Sequence, residues 1–256
     1  MAKQGGSMSF RKILSSLRKA DIDYQMINDG DRICVGVSGG KDSVLLLYAL
    51  EQYRRVKQHY DHCDFSVIGI HLNMGFEGED ISPLSAYFKE HGIELISVDT
   101  DLYETLLHYP KNNGNLSCSR CSALRKGALT NAAARYQCNK IALGHHGDDA
   151  VETLLMNMIH GSRISVFEPV SHLSYSGMDM IRPMIYVFEE EIRKAVEEEL
   201  QIPIVKSGCP NNNRTARSAA GDILQMICDQ YPNARKNMLS SLSNTENVSL
   251  WKKFKG

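Results

Sequence analysis

The sequence predicts an α/β fold whose core is a doubly wound, parallel, Rossmann-like sheet. Short apolar runs at 33–37, 65–72, 94–98 and 140–143 alternate with longer helical patterns, which is typical of parallel βαβ units. Glycine-rich turns follow the first and the fourth of these runs. Because parallel strands bind ligands at their carboxyl ends, we expect the two turns to meet at a functional site.

The other predicted elements add an N-terminal helix and a C-terminal helical extension to this sheet. Apolar spacing predicts helices at 9–28, 44–59, 81–92, 118–137, 150–159, 188–200, 215–230 and 234–242. A polar loop is predicted at 109–117, irregular chain at 160–178 and a short fifth strand at 180–184. We therefore divide the chain into a tag-like start with a helix (1–28), an α/β domain that contains both glycine-rich turns (29–205) and a C-terminal loop with helices (206–256).

Composition places the chain among globular proteins, with 43% hydrophobic and 23% charged residues. No apolar run approaches the ~20 residues of a membrane span, and no secretory leader is recognised. We expect a cytoplasmic protein that makes no membrane contact. Its seven cysteines are then expected to be reduced thiols or metal ligands rather than disulfides.

Positive charge is concentrated at the two ends of the chain. Residues 1–60 carry ten Lys and Arg against six Asp and Glu, and residues 206–256 carry eight against three. The intervening 61–205 carry eleven against twenty-one. A nucleic-acid partner would therefore contact the ends, for example through Arg11, Lys12, Arg18 and Lys19 of the first helix, although that helix could also serve to cover the edge of the sheet.

The turn after the first strand has the composition of a phosphate-binding cradle. Adjacent glycines let backbone N–H groups point into one concavity, and the start of the following helix favours an anion. A lysine adds a full positive charge. The spacing is neither that of the usual P-loop nor that of the dinucleotide fingerprint, and an ordinary strand-to-helix turn is the plainer alternative. The residues of this turn are Ser38, Gly39, Gly40, Lys41, Asp42 and Ser43.

Three cysteines form the second candidate site. Cys118 and Cys121 have C-x-x-C spacing, and Cys209 lies far downstream. A closed zinc site needs four ligands, so three thiolates suit an iron–sulfur cluster with one iron lacking a protein ligand, or a redox dithiol with a bystander. The four other cysteines, Cys34, Cys63, Cys138 and Cys228, lie singly within predicted elements and are expected to be structural.

The third motif is the turn after the fourth strand, Gly144-His145-His146-Gly147-Asp148-Asp149. Asp148 and Asp149 at the start of a helix could hold Mg²⁺ against ATP phosphates, which typically takes one or two carboxylates. Helix capping is the plainer role for either aspartate.

Taken together, these motifs resemble those of the PP-loop ATP pyrophosphatases, and most specifically the tRNA 2-thiocytidine synthetase family of tRNA thiolation enzymes. The likeness covers about residues 30–230. It is carried by SGGKDS at 38–43, CSRCSALRKG at 118–127, IALGHHGDDAVETL at 141–154, IRPMIY at 181–186 and Cys209. It implies a sheet of the adenine nucleotide α-hydrolase type.

The resemblance also implies a mechanism. The enzyme would bind ATP and Mg²⁺ at the PP-loop, adenylate the C2 carbonyl of a pyrimidine in tRNA, release pyrophosphate and let sulfur displace AMP. A 4Fe–4S cluster on Cys118, Cys121 and Cys209 would leave one iron open to sulfide or persulfide. The sulfur donor would be a cysteine desulfurase persulfide or sulfide, and a homodimer is an expected assembly.

Further roles follow from the resemblance, residue by residue. Asp42, Asp149 and Arg125 are the candidate catalytic residues. Ser38 to Ser43, together with His71, Gly144 and Arg182, are the candidate nucleotide-binding residues, and Asp148 and Asp149 the candidate Mg²⁺ ligands.

One departure from the family is that Cys209 lacks the second nearby cysteine that relatives often show. This weakens the inference that the substrate is the same nucleoside. A thiolase acting on uridine, DNA or a small molecule remains an alternative, although the extra zinc-finger cysteine pairs of many uridine thiolases are absent. The non-enzymatic alternative is a nucleotide-binding module with a structural metal.

Overall fold

A computed structural model of the chain describes residues 8–76, 78–108, 116–205, 208–209 and 216–251. Within these ranges one six-stranded sheet has the strand order β3-β2-β1-β4-β6-β5. Its strands are β1 (Arg32–Gly36), β2 (Ser66–Asn73), β3 (Leu95–Asp99), β4 (Lys140–Ala142), β5 (Val170–Leu173) and β6 (Met178–Ile181). The predicted α/β fold with a doubly wound sheet is confirmed.

The sheet is parallel except at one edge. The pairs β1–β2, β2–β3, β1–β4 and β4–β6 are parallel, whereas β5 pairs antiparallel with β6. The predictions of a wholly parallel sheet and of irregular chain throughout 160–178 are therefore wrong at β5. This four-residue edge strand is only partly buried, so its sequence lacks the continuous apolar run of the central strands.

Two strand glycines let helices approach the two faces of the sheet closely. A Cβ atom on Gly69 of β2 would lie 2.6 Å from Cδ2 of Leu47, and one on Gly36 of β1 would lie 2.7 Å from Cδ2 of Leu129. Leu47 belongs to helix α2 (Lys41–Tyr60) and Leu129 to helix α5 (Cys118–Arg135). Cys34 and Cys138 lie in the core against α5, which agrees with their expected structural role.

The helices are α1 (Met8–Tyr24), α2 (Lys41–Tyr60), α3 (Ser82–Glu90), α4 (Leu102–Leu107), α5 (Cys118–Arg135), α6 (Gly147–Gly161), α7 (Glu189–Arg193), α8 (Ala216–Gln230) and α9 (Ala234–Ser241). A π-helical segment, Lys194–Glu199, continues α7. α4 was not predicted, and α2 begins three residues earlier than predicted. Most of the predicted loop at 109–117 and the whole of 1–7 lie outside the described residues.

The chain divides into two compact units. The first comprises 1–146 and 168–214 and contains the sheet with α1 to α5 and α7. The second comprises 147–167 and 215–256 and contains α6, α8 and α9. The α6 helix is thus grouped with the C-terminal helices, whereas the sequence-based division at residue 205 assigned it to the α/β domain.

Helix α1, at the N-terminal end of the described chain, is amphipathic and basic. Phe10, Ile13 and Leu17 of α1 are buried, while its four candidate nucleic-acid-binding residues are exposed. Asp21 is also buried, where it accepts hydrogen bonds from the Tyr53 hydroxyl at 2.7 Å and the Lys57 ammonium at 2.9 Å. The basic face of α1 therefore faces solvent.

None of the helices in the described part of the chain is long and apolar enough to span a bilayer.

Candidate active site

The PP-loop is closed by the hydroxyl of its last serine. Ser43 Oγ accepts a hydrogen bond from the backbone N–H of Ser38 at 3.0 Å and donates one to the carbonyl of Gly40 at 2.9 Å. Gly40 has an extended conformation and caps α2 without a side-chain hydrogen bond. The N–H groups of the first turn of α2 therefore lie directly after the loop. N–H groups at this position have no carbonyl partner within the helix. This arrangement fits the phosphates of a nucleotide.

Two close approaches explain why glycine is required here. Gly39 has a positive φ of 81°, and a Cβ atom on it would lie 2.7 Å from Cβ of Val205. Gly144, in the turn after β4, packs against the PP-loop backbone, where its Cβ would lie 3.0 Å from the carbonyl carbon of Asp42 and 3.1 Å from the amide nitrogen of Ser43. The turns after β1 and β4 therefore meet, at the point where the strand order of the sheet reverses.

Lys41 and Asp42 give the PP-loop paired charges. The Nζ atom of Lys41 lies 3.2 Å from Oδ1 of Asp42 and 2.9 Å from Oε1 of Glu189. Burial lowers the pKa of Lys41, but the two carboxylates outweigh it and the net pKa is raised. Oδ1 of Asp42 is buried and, beyond its ion pair with Lys41, receives no hydrogen bond; Nε2 of His146 lies 3.7 Å away. Such an oxygen can accept a cation or a donor group that arrives with the nucleotide.

His71 lies beside this loop at the carboxyl end of β2. Its Nδ1 is 2.9 Å from the carbonyl oxygen of Val37, the residue that precedes the PP-loop. Its Nε2 is 3.7 Å from Oε1 of Glu79. Both side chains are buried, and Oε2 of Glu79 has no hydrogen-bond partner. The structure thus places the predicted nucleotide-binding His71 next to the cradle.

Two of the three candidate cluster cysteines open helix α5. Ser117 caps the helix by accepting a hydrogen bond from the N–H of Arg120 at 3.4 Å. Cys118 is exposed and Cys121 half-buried. Residues spaced by three lie on the same helical face.

Cys209 joins this pair electrostatically. Burial raises the pKa of the Cys121 thiol, and the positive charge of Arg125 opposes this rise. The neighbouring thiols of Cys209 and Cys118 raise the same pKa further. The fold therefore brings Cys209 near enough to affect the pKa of Cys121, although 88 positions separate the two residues in the sequence.

The donor set can be compared with the needs of two kinds of metal centre. A closed zinc site needs four ligands, whereas three thiolates can hold a 4Fe–4S cluster that leaves one iron without a protein ligand. Within the described ranges, no group of three His, Cys, Asp or Glu side chains is placed to hold a metal ion, so the cluster stays a prediction. Cys121 also packs in an apolar cluster with Leu106 of α4 and Leu116, which shields one side of the site.

The two candidate Mg²⁺ ligands begin α6, in the second unit. Oδ1 of Asp148 is 3.1 Å from Nε of Arg235, and Oδ1 of Asp149 is 3.2 Å from a terminal guanidinium nitrogen of Arg217. Asp148 is almost fully buried. A metal would have to exchange with these arginines, so the assignment of Mg²⁺ to the pair stays a prediction.

Arg182 is tied to the edge of the sheet. Its guanidinium donates to the carbonyl of Glu168 and to Oγ of Ser171. Burial lowers its pKa. These contacts give Arg182 a role in holding β5, and its role in nucleotide binding remains untested.

Sequence reasoning overlooked Glu189 and Glu79. The three consecutive glutamates at 189–191 indicated the start of a helix, but nothing in the sequence shows which of them faces Lys41. Glu79 lies in a loop without any recognised motif. Lys41 lies 148 positions from Glu189, and Glu79 lies near His71 through the course of the loop after β2, so proximity in the fold is the signal that the sequence lacks.

Known proteins resemble this chain in sequence and in fold. Residues 10–203 match the family model described as a PP-loop domain. A tRNA-cytidine(32) 2-sulfurtransferase of Pelobacter propionicus is 35% identical over 92% of this chain and 86% of its own length. Another of the same name, from Syntrophotalea carbinolica, is 33% identical over 93% of this chain and 90% of its own length.

A solved structure shares the fold. The U34-tRNA thiolase NcsA from Methanococcus maripaludis, solved with its [4Fe-4S] cluster, superposes with a TM-score of 0.73. The match covers 94% of this chain and 80% of that chain at 23% identity. The predicted resemblance and enzyme class are confirmed: the chain belongs to the PP-loop domain family and, within it, to the tRNA-cytidine(32) 2-sulfurtransferases.

Proposed function

We propose that this protein is an ATP-dependent tRNA sulfurtransferase that converts a cytidine of tRNA to 2-thiocytidine. The observation that carries the proposal is that one compact unit holds both a phosphate cradle and the Cys118–Cys121 pair, with Cys209 near enough to affect the pKa of Cys121. The names of the relatives supply the substrate, since cytidine in tRNA is what those enzymes act on.

The first half of the reaction belongs to the PP-loop. The C2 carbonyl oxygen of cytosine attacks the α-phosphorus of ATP, the bond between the α-phosphorus and the bridging oxygen breaks, and pyrophosphate leaves. The helix N-terminus and Lys41 stabilise the negative charge that develops on the departing pyrophosphate. Asp42 is our candidate for receiving the Mg²⁺ that accompanies ATP, because one of its oxygens is buried without a hydrogen bond.

The second half belongs to the cysteine site. Cys118, Cys121 and Cys209 would hold a 4Fe–4S cluster, which when bound supplies an iron without a protein ligand on which the sulfur donor can be carried. Sulfur then forms a bond to C2, and AMP leaves with the original oxygen. Arg125, close enough to Cys121 to affect its pKa, favours anionic sulfur at this site. The donor would be free sulfide, or a cysteine desulfurase persulfide whose outer sulfur is reduced to the sulfide level by two electrons from a thiol reductant.

The test combines nucleoside analysis with product analysis. Mass spectrometry of tRNA from a strain that lacks the gene should show loss of 2-thiocytidine, and the gene should restore it. The purified, anaerobically reconstituted enzyme with ATP, Mg²⁺, sulfide and tRNA should release AMP and pyrophosphate. Release of ADP and phosphate would refute the chemistry, and loss of 2-thiouridine instead would identify the alternative substrate.

A further inference from the structure

The lysine of the PP-loop already has an anionic partner from another part of the fold. Nζ of Lys41 lies 2.9 Å from Oε1 of Glu189, at the start of α7. The adjacent Asp42 contributes a second carboxylate oxygen at 3.2 Å. One ammonium thus faces two carboxylates, and this group of three charges is net negative at the place where a triphosphate should bind.

Capping of helix α7 does not account for Glu189. That task is performed by Glu191, whose Oε2 accepts a hydrogen bond from the backbone N–H of Phe188 at 3.1 Å. Glu190 pairs with Lys194 at 2.6 Å, one turn further along. Of the three successive glutamates, Glu189 is thus the one that is directed at the PP-loop lysine.

We propose that Glu189 is a positioning residue that holds the Lys41 ammonium over the PP-loop until the phosphates of ATP displace it. This inference rests on the proposed binding of ATP at residues 38–43. The sign of its effect follows from charge alone: a carboxylate 2.9 Å from the ammonium competes with any anionic ligand for the same group. When pyrophosphate has formed, Glu189 takes Lys41 back and promotes product release.

The proposal predicts tighter binding after removal of the charge. Glu189→Gln should lower the dissociation constants of ATP and of pyrophosphate by about two- to fivefold, the range expected for a half-exposed ion pair. The KM for ATP should fall while kcat stays level or decreases, since pyrophosphate leaves more slowly. If the ion pair between Lys41 and Glu189 served only to stabilise the fold, Glu189→Gln would instead weaken ATP binding.

The experiment is calorimetric titration of ATP and pyrophosphate, with Mg²⁺ and salt held constant, into the full-length protein. Glu190→Gln is the matched control, because it removes the same charge from the same helical turn and should leave both constants unchanged. Glu189→Asp keeps the charge and should stay within about twofold of the wild type. Thermal unfolding of each variant identifies any that fails to fold, in which case Glu189→Asp and Glu189→Ala are compared instead.

A double-variant cycle assigns the effect to Lys41. In a Lys41→Met background, Glu189→Gln should no longer change the affinity for pyrophosphate. Unchanged or weaker binding in Glu189→Gln alone, or an undiminished effect without Lys41, would overturn the inference. If the wild type itself binds no ATP, the proposed function fails instead, so the two failures are distinguishable.

Discussion

The PP-loop and the three-cysteine site differ in how completely the polypeptide shapes them. The PP-loop is a continuous run of six residues whose backbone is held by Ser43 and enclosed by Gly144 and Val205. The cysteine site combines two residues at the start of α5 with one from a distant segment. Cys118 and Cys209 raise the pKa of Cys121, yet among the described residues no group of three His, Cys, Asp or Glu side chains is placed to hold a metal ion.

This difference reflects the ligands that the two sites would receive. A nucleotide is bound reversibly in every catalytic cycle, and a preformed cradle lowers the ordering cost of each binding event. A cluster is inserted once and supplies its own bonds to the thiolates, so that its binding energy can complete the geometry. The cradle should therefore be sensitive to shape, and the cysteine site to the identity of its ligands.

The largest expected effect is the loss of one cluster ligand. Cys209→Ala should prevent stable cluster assembly and decrease sulfur transfer by roughly 100-fold or more, because two thiolates cannot retain the cluster. ATP affinity should remain that of the wild type. Iron and sulfide analysis after anaerobic reconstitution, together with ATP titration, checks both statements.

Cys228→Ala provides the control for this experiment, since Cys228 is also half-buried but lies on α8 of the second unit. Full iron content and full activity in Cys209→Ala would show that the cluster does not depend on this residue.

An intermediate effect on stability and ATP binding is expected when alanine replaces Gly144 beside the PP-loop. Gly144→Ala forces a Cβ atom to within 3.0 Å of the PP-loop backbone, which should lower the free energy of unfolding by about 1–3 kcal/mol and weaken ATP binding. Chemical denaturation and ATP titration measure the two effects, and the iron content should not change.

Gly127→Ala is the matched control for this change. Gly127 lies within α5, where a Cβ atom would meet no neighbouring group within 4 Å, so alanine there should stabilise the protein by about 0.5–1 kcal/mol. Equal destabilisation by the two variants would show that the close approach at Gly144 is unimportant.

The smallest expected effect concerns the exposed basic residues of α1, which belong neither to the PP-loop nor to the cysteine site. Changing Arg11, Lys12 and Lys19 of α1 to Gln removes exposed charge and should weaken tRNA binding several-fold. The salt dependence of the affinity should flatten by about one slope unit per lost phosphate contact. ATP affinity and iron content should stay constant. Filter binding of tRNA across a salt series tests this, and an unchanged slope would exclude α1 from the RNA-binding surface.

Most of the central sheet was predictable because its strands are buried on both faces and therefore read as apolar runs. The same reasoning failed at β5, whose residues are only partly buried, and at α4, which spans six residues. Short or half-exposed elements carry too few apolar positions to show a period. Cys34 and Cys138 are buried as expected, whereas Cys63 and Cys228, which were given the same structural role because each stands singly, are only half-buried.

The sequence by itself determined the composition of the PP-loop, the identity of the thiols and the family to which the chain belongs. Those features depend on residue type and on spacing over a few positions. Only the tertiary structure decided that Glu189 faces Lys41, that Gly144 supports Asp42 and that Arg235 pairs with Asp148. Each of these contacts joins segments that are distant in the chain, and charge and steric contact act through space, which a linear pattern does not record.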